Sequence, residues 1–151
     1  MSQNQGYSKK YGQVFLKNRN IAAYEVSLIN GKVGSSVIEI GPGHGMLTGE
    51  LLKADYRVIA IESDHSFVDD LEYRFADGIR EGKLQVIKDD FLKSELKSAD
   101  YIAGNVPYQI SSPIVENFVR CLSEGQYSWF RKNSEKDCVL TREWNLIPDY
   151  Q

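Results

Sequence analysis

The stretch Val37-Ile38-Glu39-Ile40-Gly41-Pro42-Gly43-His44-Gly45 decides the fold of this chain. A short β-branched run, suited to a buried strand, breaks into a loop with glycine at every second position. Glycines at that spacing let the backbone turn sharply and lie close to a ligand. Helical sequence follows at once, with Leu47 and Leu51 on one face between Met46 and Leu52. A second β-rich run, Arg57 to Glu62, ends on an acid 21 residues after Gly41. In nucleotide-binding folds a carboxylate at that strand end accepts the two hydroxyls of a ribose.

The alternation continues outward. Leu84 to Ile87 and Tyr101 to Asn105 read as further strands, and Cys138 to Thr141 as a fifth. Helical periods lie between and before them. Asn20 to Ile29 places Ile21, Tyr24 and Leu28 on one face. Phe67, Leu71 and Phe75 recur every four residues, as do Ile114, Phe118 and Leu122. Ser66 is a cap candidate before Phe67, Ser112-Pro113 a helix start, and Gly78 and Gly82 an exit from the third helix. Ser123 to Asp137 is polar, broken by Gly125 and without a period, which predicts a loop or frayed helix end. Strand–helix alternation predicts an α/β fold: a parallel sheet with helices on both faces.

The glycine loop narrows the ligand. Met46 occupies the third position of the nicotinamide fingerprint, where a glycine normally lets helix and strand pack beside a pyrophosphate. The spacing E-x-G-x-G-x-G instead suits an adenosyl cofactor without phosphates, S-adenosylmethionine. Gly41, Gly43 and Gly45 are the predicted cradle and Glu62 the ribose acceptor. A tight structural turn is the alternative. Asp89-Asp90 follows the third strand. Asp90 there either accepts the adenine amine or caps a turn, and the sequence leaves both open. His44 reads as a loop residue, since no partner marks it as a base.

Bulk properties set limits. The chain has 151 residues, room for about one domain. Its 42% apolar and 26% charged residues are ordinary globular composition. No apolar run approaches the roughly 18 residues of a membrane span. The polar opening MSQNQGYSKK shows no signal peptide. Cys121 and Cys138 lack metal-site spacing, so free cytosolic thiols and no metal are expected, in a cytoplasmic protein. The net charge of −3 argues against a strongly basic, self-sufficient nucleic-acid binder. Four basic residues (Lys9, Lys10, Lys17, Arg19) with no acid precede Glu25. That arm either meets a phosphate backbone or is a solvated tail.

After the fourth strand comes Asn105-Val106-Pro107-Tyr108. It resembles the N/D-P-P-Y/F/W motif of amino-group methyltransferases. An exocyclic amine is a poor nucleophile because its lone pair is delocalised. The Asn105 oxygen and the Val106 or Pro107 carbonyl can accept its two N–H groups. The lone pair is then freed to aim at a methylsulfonium. Pro107 stiffens the backbone, and Tyr108 offers a face for a stacked base.

Taken together, these motifs are similar to those of the ribosomal RNA small-subunit adenine dimethyltransferases (KsgA type), with the erythromycin-resistance rRNA methylases as relatives. The likeness spans about Lys9 to Leu122. It begins at Lys10-Tyr11-Gly12-Gln13-Val14-Phe15-Leu16 and runs through the glycine loop, Glu62 and Lys88-Asp89-Asp90-Phe91-Leu92. It closes on Asn105 to Pro113 (NVPYQISSP). The resemblance implies a Rossmann-like class I S-adenosylmethionine-dependent methyltransferase fold. It also implies N6,N6-dimethylation of adenine in rRNA, with rRNA or a pre-ribosomal particle as partner. Leu16, Gly41, Glu62, Asp90 and Asn105 would contact the cofactor, and Asn105, Pro107 and Tyr108 the target adenine. Gln13 would order the arm over the cofactor, beside Val14.

Three departures stand out. Val14 replaces the family's Asn or His, and Gln109 its Asn. The chain also stops early, whereas the family adds two more strands and a helical RNA-gripping domain. The expected organisation is an arm (1–19), a partial methyltransferase core (20–143) and an irregular tail (144–151), without the helical domain. A sheet incomplete at its C-terminal edge would expose Cys138 to Thr141 and favour self-association. A core that binds cofactor without catalysing transfer is the competing reading.

Overall fold

The computed structural model describes residues 18–94 and 99–104, and the backbone of two further strands, Ser128–Arg131 and Cys138–Thr141. Four strands run parallel: β1 (Ser36–Ile40), β2 (Arg57–Glu62), β3 (Leu84–Lys88) and β4 (Tyr101–Gly104). With β5 (Ser128–Arg131) and β6 (Cys138–Thr141) they form one sheet in the order β3-β2-β1-β4-β6-β5. Central β1 is buried from Val37 to Ile40, as a parallel strand covered on both faces should be.

The helices are α1 (Arg19–Ser27), α2 (Met46–Lys53), α3 (His65–Arg74) and α4 (Ala76–Arg80). On one face of the sheet, Ala22, Val26 and Ile29 and α2's Leu47 and Leu51 meet Val37, Val58, Ala60 and Ala103. Phe75, just beyond α3, joins the same cluster. Leu71 is fully buried, as its four-residue period with Phe67 predicts. On the other face Ile38, Ile40, Ile61 and Ile102 pack with Phe91. The Ile114–Phe118–Leu122 period lies outside the described residues.

Four expectations are corrected. Helix α1 buries Ala22, Glu25 and Val26, whereas Ile21 and Tyr24 are 42% and 44% exposed. Two stripes one residue apart both fit the helical period. The small Ala22 lets α1 approach closely, and that stripe is the one buried. The α3 cap is Asp64, not Ser66: its carboxylate accepts the Ser66 amide at 2.9 Å and the Ser66 hydroxyl at 2.7 Å. Gly78 lies within α4, and only Gly82, at φ 71°, marks an exit.

The fourth correction concerns the sheet's far side. Ser128–Arg131, expected as loop, is strand, consistent with the β preference of Trp129 and Phe130. Strand β6 runs antiparallel to both β4 and β5, with Cys138 opposite Gly104 on one side and Arg131 on the other. Cys138–Thr141 is therefore paired on both sides and is not the exposed edge through which self-association was expected. Among the described strands, β5 ends the sheet on this side.

Candidate active site

The predicted cofactor residues gather at the carboxyl ends of the parallel strands, where ligands bind in open α/β sheets. The loop after β1 holds Gly41, Gly43 and Gly45 at φ 62°, 53° and 73°. These are left-handed conformations that cost a residue with a Cβ roughly 1–2 kcal/mol. The two ends of the loop differ in their surroundings. A Cβ on Gly45 would lie 2.5 Å from Phe75 Cε2 and 2.6 Å from Leu71 Cδ2. A Cβ on Gly41 would meet nothing within 4 Å. Gly45 is therefore glycine so that the end of the loop can lie against Leu71 and Phe75, and Gly41 borders open space that a ligand can enter.

Glu62 binds the loops together. Its side chain is almost fully buried, at 3% exposure. Carboxylate Oε2 accepts the Gly43 amide at 3.0 Å, and Oε1 accepts the Asp64 amide at 3.0 Å. The Glu62 carbonyl accepts the Asp89 amide, also at 3.0 Å. One residue thus ties together the loops after β1, β2 and β3. Each carboxylate oxygen keeps a second lone pair, so the ribose-acceptor role is compatible with both amide bonds. The Gly41 amide adds a tie to the Ile61 carbonyl at 2.9 Å.

Asp90 opens a turn. Its Oδ1 accepts the Leu92 amide at 3.0 Å, and Oδ2 lies 3.7 Å from Lys93 Nζ. The turn role left open by the sequence is therefore filled, on a side chain that stays half-exposed. His44 sets its ring edge-on to Phe67 at 4.9 Å, and its carbonyl accepts the Arg74 guanidinium.

Gln13, Val14, Leu16, Asn105, Pro107 and Tyr108 lie outside the described residues. The strand leading to the acceptor motif is described. Gly104 ends β4 against Ile40, the residue before the glycine loop, and a Cβ there would stand 2.7 Å from the Ile40 carbonyl oxygen. Among the described residues no His, Cys, Asp and Glu cluster could hold a metal ion, and no helix is long and apolar enough to cross a membrane.

Sequence reading missed two residues. Glu39 is 1% exposed inside β1, and its Oε2 accepts the Thr48 hydroxyl at 2.6 Å. Burial pushes its carboxyl up to about 7; hydrogen bonds from the Thr48 hydroxyl and amide pull it down, and the nearby Glu62 charge adds a smaller upward push. The available signal was an acid inside an otherwise β-branched run.

A family model described as ribosomal RNA adenine dimethylase matches residues 4–136. A dimethyladenosine transferase of Schizosaccharomyces pombe is 38% identical over 109 residues, 72% of this chain and 36% of that protein. A ribosomal RNA small subunit methyltransferase of Arabidopsis thaliana is 42% identical over 108 residues, 72% of this chain and 31% of that one. The structure of a dimethyladenosine transferase from Plasmodium falciparum superposes with a TM-score of 0.65 at 28% identity, over 77% of this chain and 42% of that one. The chain thus spans about a third of the length of these curated relatives.

Proposed function

Because the chain belongs to the ribosomal RNA adenine dimethylase family, we propose that it methylates the exocyclic amine of adenine in rRNA, with S-adenosylmethionine as methyl donor. The observation that carries this reading is Glu62: a buried carboxylate at the end of β2, bonded to the glycine loop and retaining acceptor capacity. The described residues fit an adenosyl group. Gly41 borders free space; in this reading Glu62 accepts the ribose hydroxyls and the half-exposed Asp90 the adenine amine. Gly43 and Gly45 shape the cradle, and Gln13, Val14, Leu16 and Asn105 complete it.

The cofactor supplies an electrophilic methyl group on a sulfonium. The protein's contribution is mostly alignment, which can supply much of a transfer barrier. The Asn105 side-chain oxygen and the Val106 or Pro107 carbonyl accept the two N–H groups of the target amine. Pro107 fixes the backbone that carries those acceptors, and Tyr108 stacks on the base. No strong general base is required, because the amine proton leaves after transfer.

Calorimetric titration with S-adenosylmethionine, followed by transfer of labelled methyl to small-subunit rRNA, tests the reading. Binding together with N6,N6-dimethyladenosine in the digested RNA supports it. Binding without transfer would select the competing reading, a cofactor-binding core without catalysis. On the proposed reading rRNA is the substrate and the cytoplasm the location.

A further inference from the structure

Glu39 has no part in the binding described above, yet it is almost fully buried, two residues before the glycine loop. Its carboxylate accepts the hydroxyl of Thr48 at 2.6 Å. Thr48 is the third residue of α2, and amides in a first helical turn have no partner within the helix. A side chain at the N-cap normally serves them. Here the N-cap is Gly45, which has no side chain to offer. The strand before the loop is instead tied to that first turn through the Thr48 hydroxyl.

We propose that Glu39 and Thr48 are a positioning pair, a buried clasp across the base of the glycine loop that holds it in its cofactor-binding shape. The inference rests on the reading of this loop as the cofactor's seat. Glu39 and Thr48 are 1% and 0% exposed, and their side chains bond to each other. They join the end of β1 to the first turn of α2 and so fix the two ends of residues 41–45. The middle is held separately, by the Gly43 amide on Glu62. A segment with three glycines has much conformational freedom to lose. The clasp removes that freedom on folding, so that it need not be removed on binding. Burying a carboxyl group is costly, and an aliphatic residue could fill the same space without that cost. A role in holding the loop accounts for a carboxyl group there.

The test uses Thr48→Val, which keeps the shape and removes the hydroxyl, and Thr48→Ser, which restores it. The full chain and each variant are titrated with S-adenosylhomocysteine by calorimetry, at a temperature where circular dichroism shows each fully folded. Hydrogen exchange of the Gly43 amide is followed by NMR. Thr48→Val should weaken binding about tenfold and speed Gly43 exchange, while Thr48→Ser stays within about twofold of the parent. If Thr48→Val does not fold, Glu39→Leu fills the space without an acceptor and is read by the same two measurements. A lowered unfolding midpoint with unchanged affinity and unchanged exchange would overturn the clasp and leave the cofactor reading standing. Absence of binding by the parent chain would overturn both.

Discussion

The Gly43 amide donates to the Glu62 carboxylate at 3.0 Å, joining the centre of the glycine loop to the end of the neighbouring strand. The same carboxylate holds Asp64, so removing it leaves two backbone amides without their acceptor. It also removes the proposed ribose partner. Glu62→Ala should therefore weaken S-adenosylmethionine binding by about 1–3 kcal/mol, roughly ten- to a hundredfold. Calorimetry measures this directly, and an unchanged affinity would refute the assignment of Glu62.

The two ends of the loop should respond differently to a methyl group. At Gly45 the added Cβ meets Phe75 and Leu71 and also carries the left-handed penalty. Gly45→Ala should cost about 2–4 kcal/mol of folding stability. At Gly41 the backbone penalty remains but the space is open. Gly41→Ala should cost about 1–2 kcal/mol of stability and lose cofactor affinity in addition, since the methyl projects where the ligand enters. Denaturant unfolding and calorimetry on both variants check this. Equal stability losses would show that the Phe75 contact relaxes freely.

Glu39 gives the fold a pH dependence of predictable sign. Burial pushes its carboxyl up to about 7 in the folded chain, from about 4.5 when unfolded. The folded state holds the proton more tightly, so the contribution is fully present below about pH 4.5. It is lost as pH rises through about 7. The full span is about 3 kcal/mol. Glu50 and Asp64 are shifted downward by their hydrogen bonds to Lys53 and Ser66, and their opposite contribution falls away only at lower pH. Subtracting the stability profile of Glu39→Gln from that of the parent therefore isolates Glu39. A flat difference between pH 4.5 and 7.5 would contradict it.

What the sequence made visible was what lies close together in it. The turn after β1 and the acid ending β2 sit where strand alternation places them, and the hydrogen bond between Gly43 and Glu62 follows from that placement. The Glu39–Thr48 pair was not visible, because it depends on how a strand and the next helix come together in space. The α1 stripe was ambiguous by one residue, and only contact with α2 and the sheet decides between Ile21 and Ala22. The Asp64 cap was hidden by a serine two residues later that is its hydrogen-bond donor. Strand β5 was hidden because the polar residues around Trp129 and Phe130 dominate that window.

The acceptor motif gives the last prediction. Asn105 and Tyr108 follow Gly104, whose missing side chain lets β4 close on β1 beside the glycine loop. Their proposed roles differ in kind. Asn105 supplies an acceptor that orients the amine, so Asn105→Ala should abolish methyl transfer while stability changes by only about 0.5 kcal/mol. Tyr108 supplies an aromatic face, and stacking on a base is worth about 1–3 kcal/mol. Tyr108→Phe keeps the ring and should retain most activity. Tyr108→Ala should raise KM for RNA roughly ten- to a hundredfold, in line with that stacking energy. Steady-state methylation of rRNA separates the cases. Equal damage from Phe and Ala would show that the hydroxyl, and not the ring, holds the adenine.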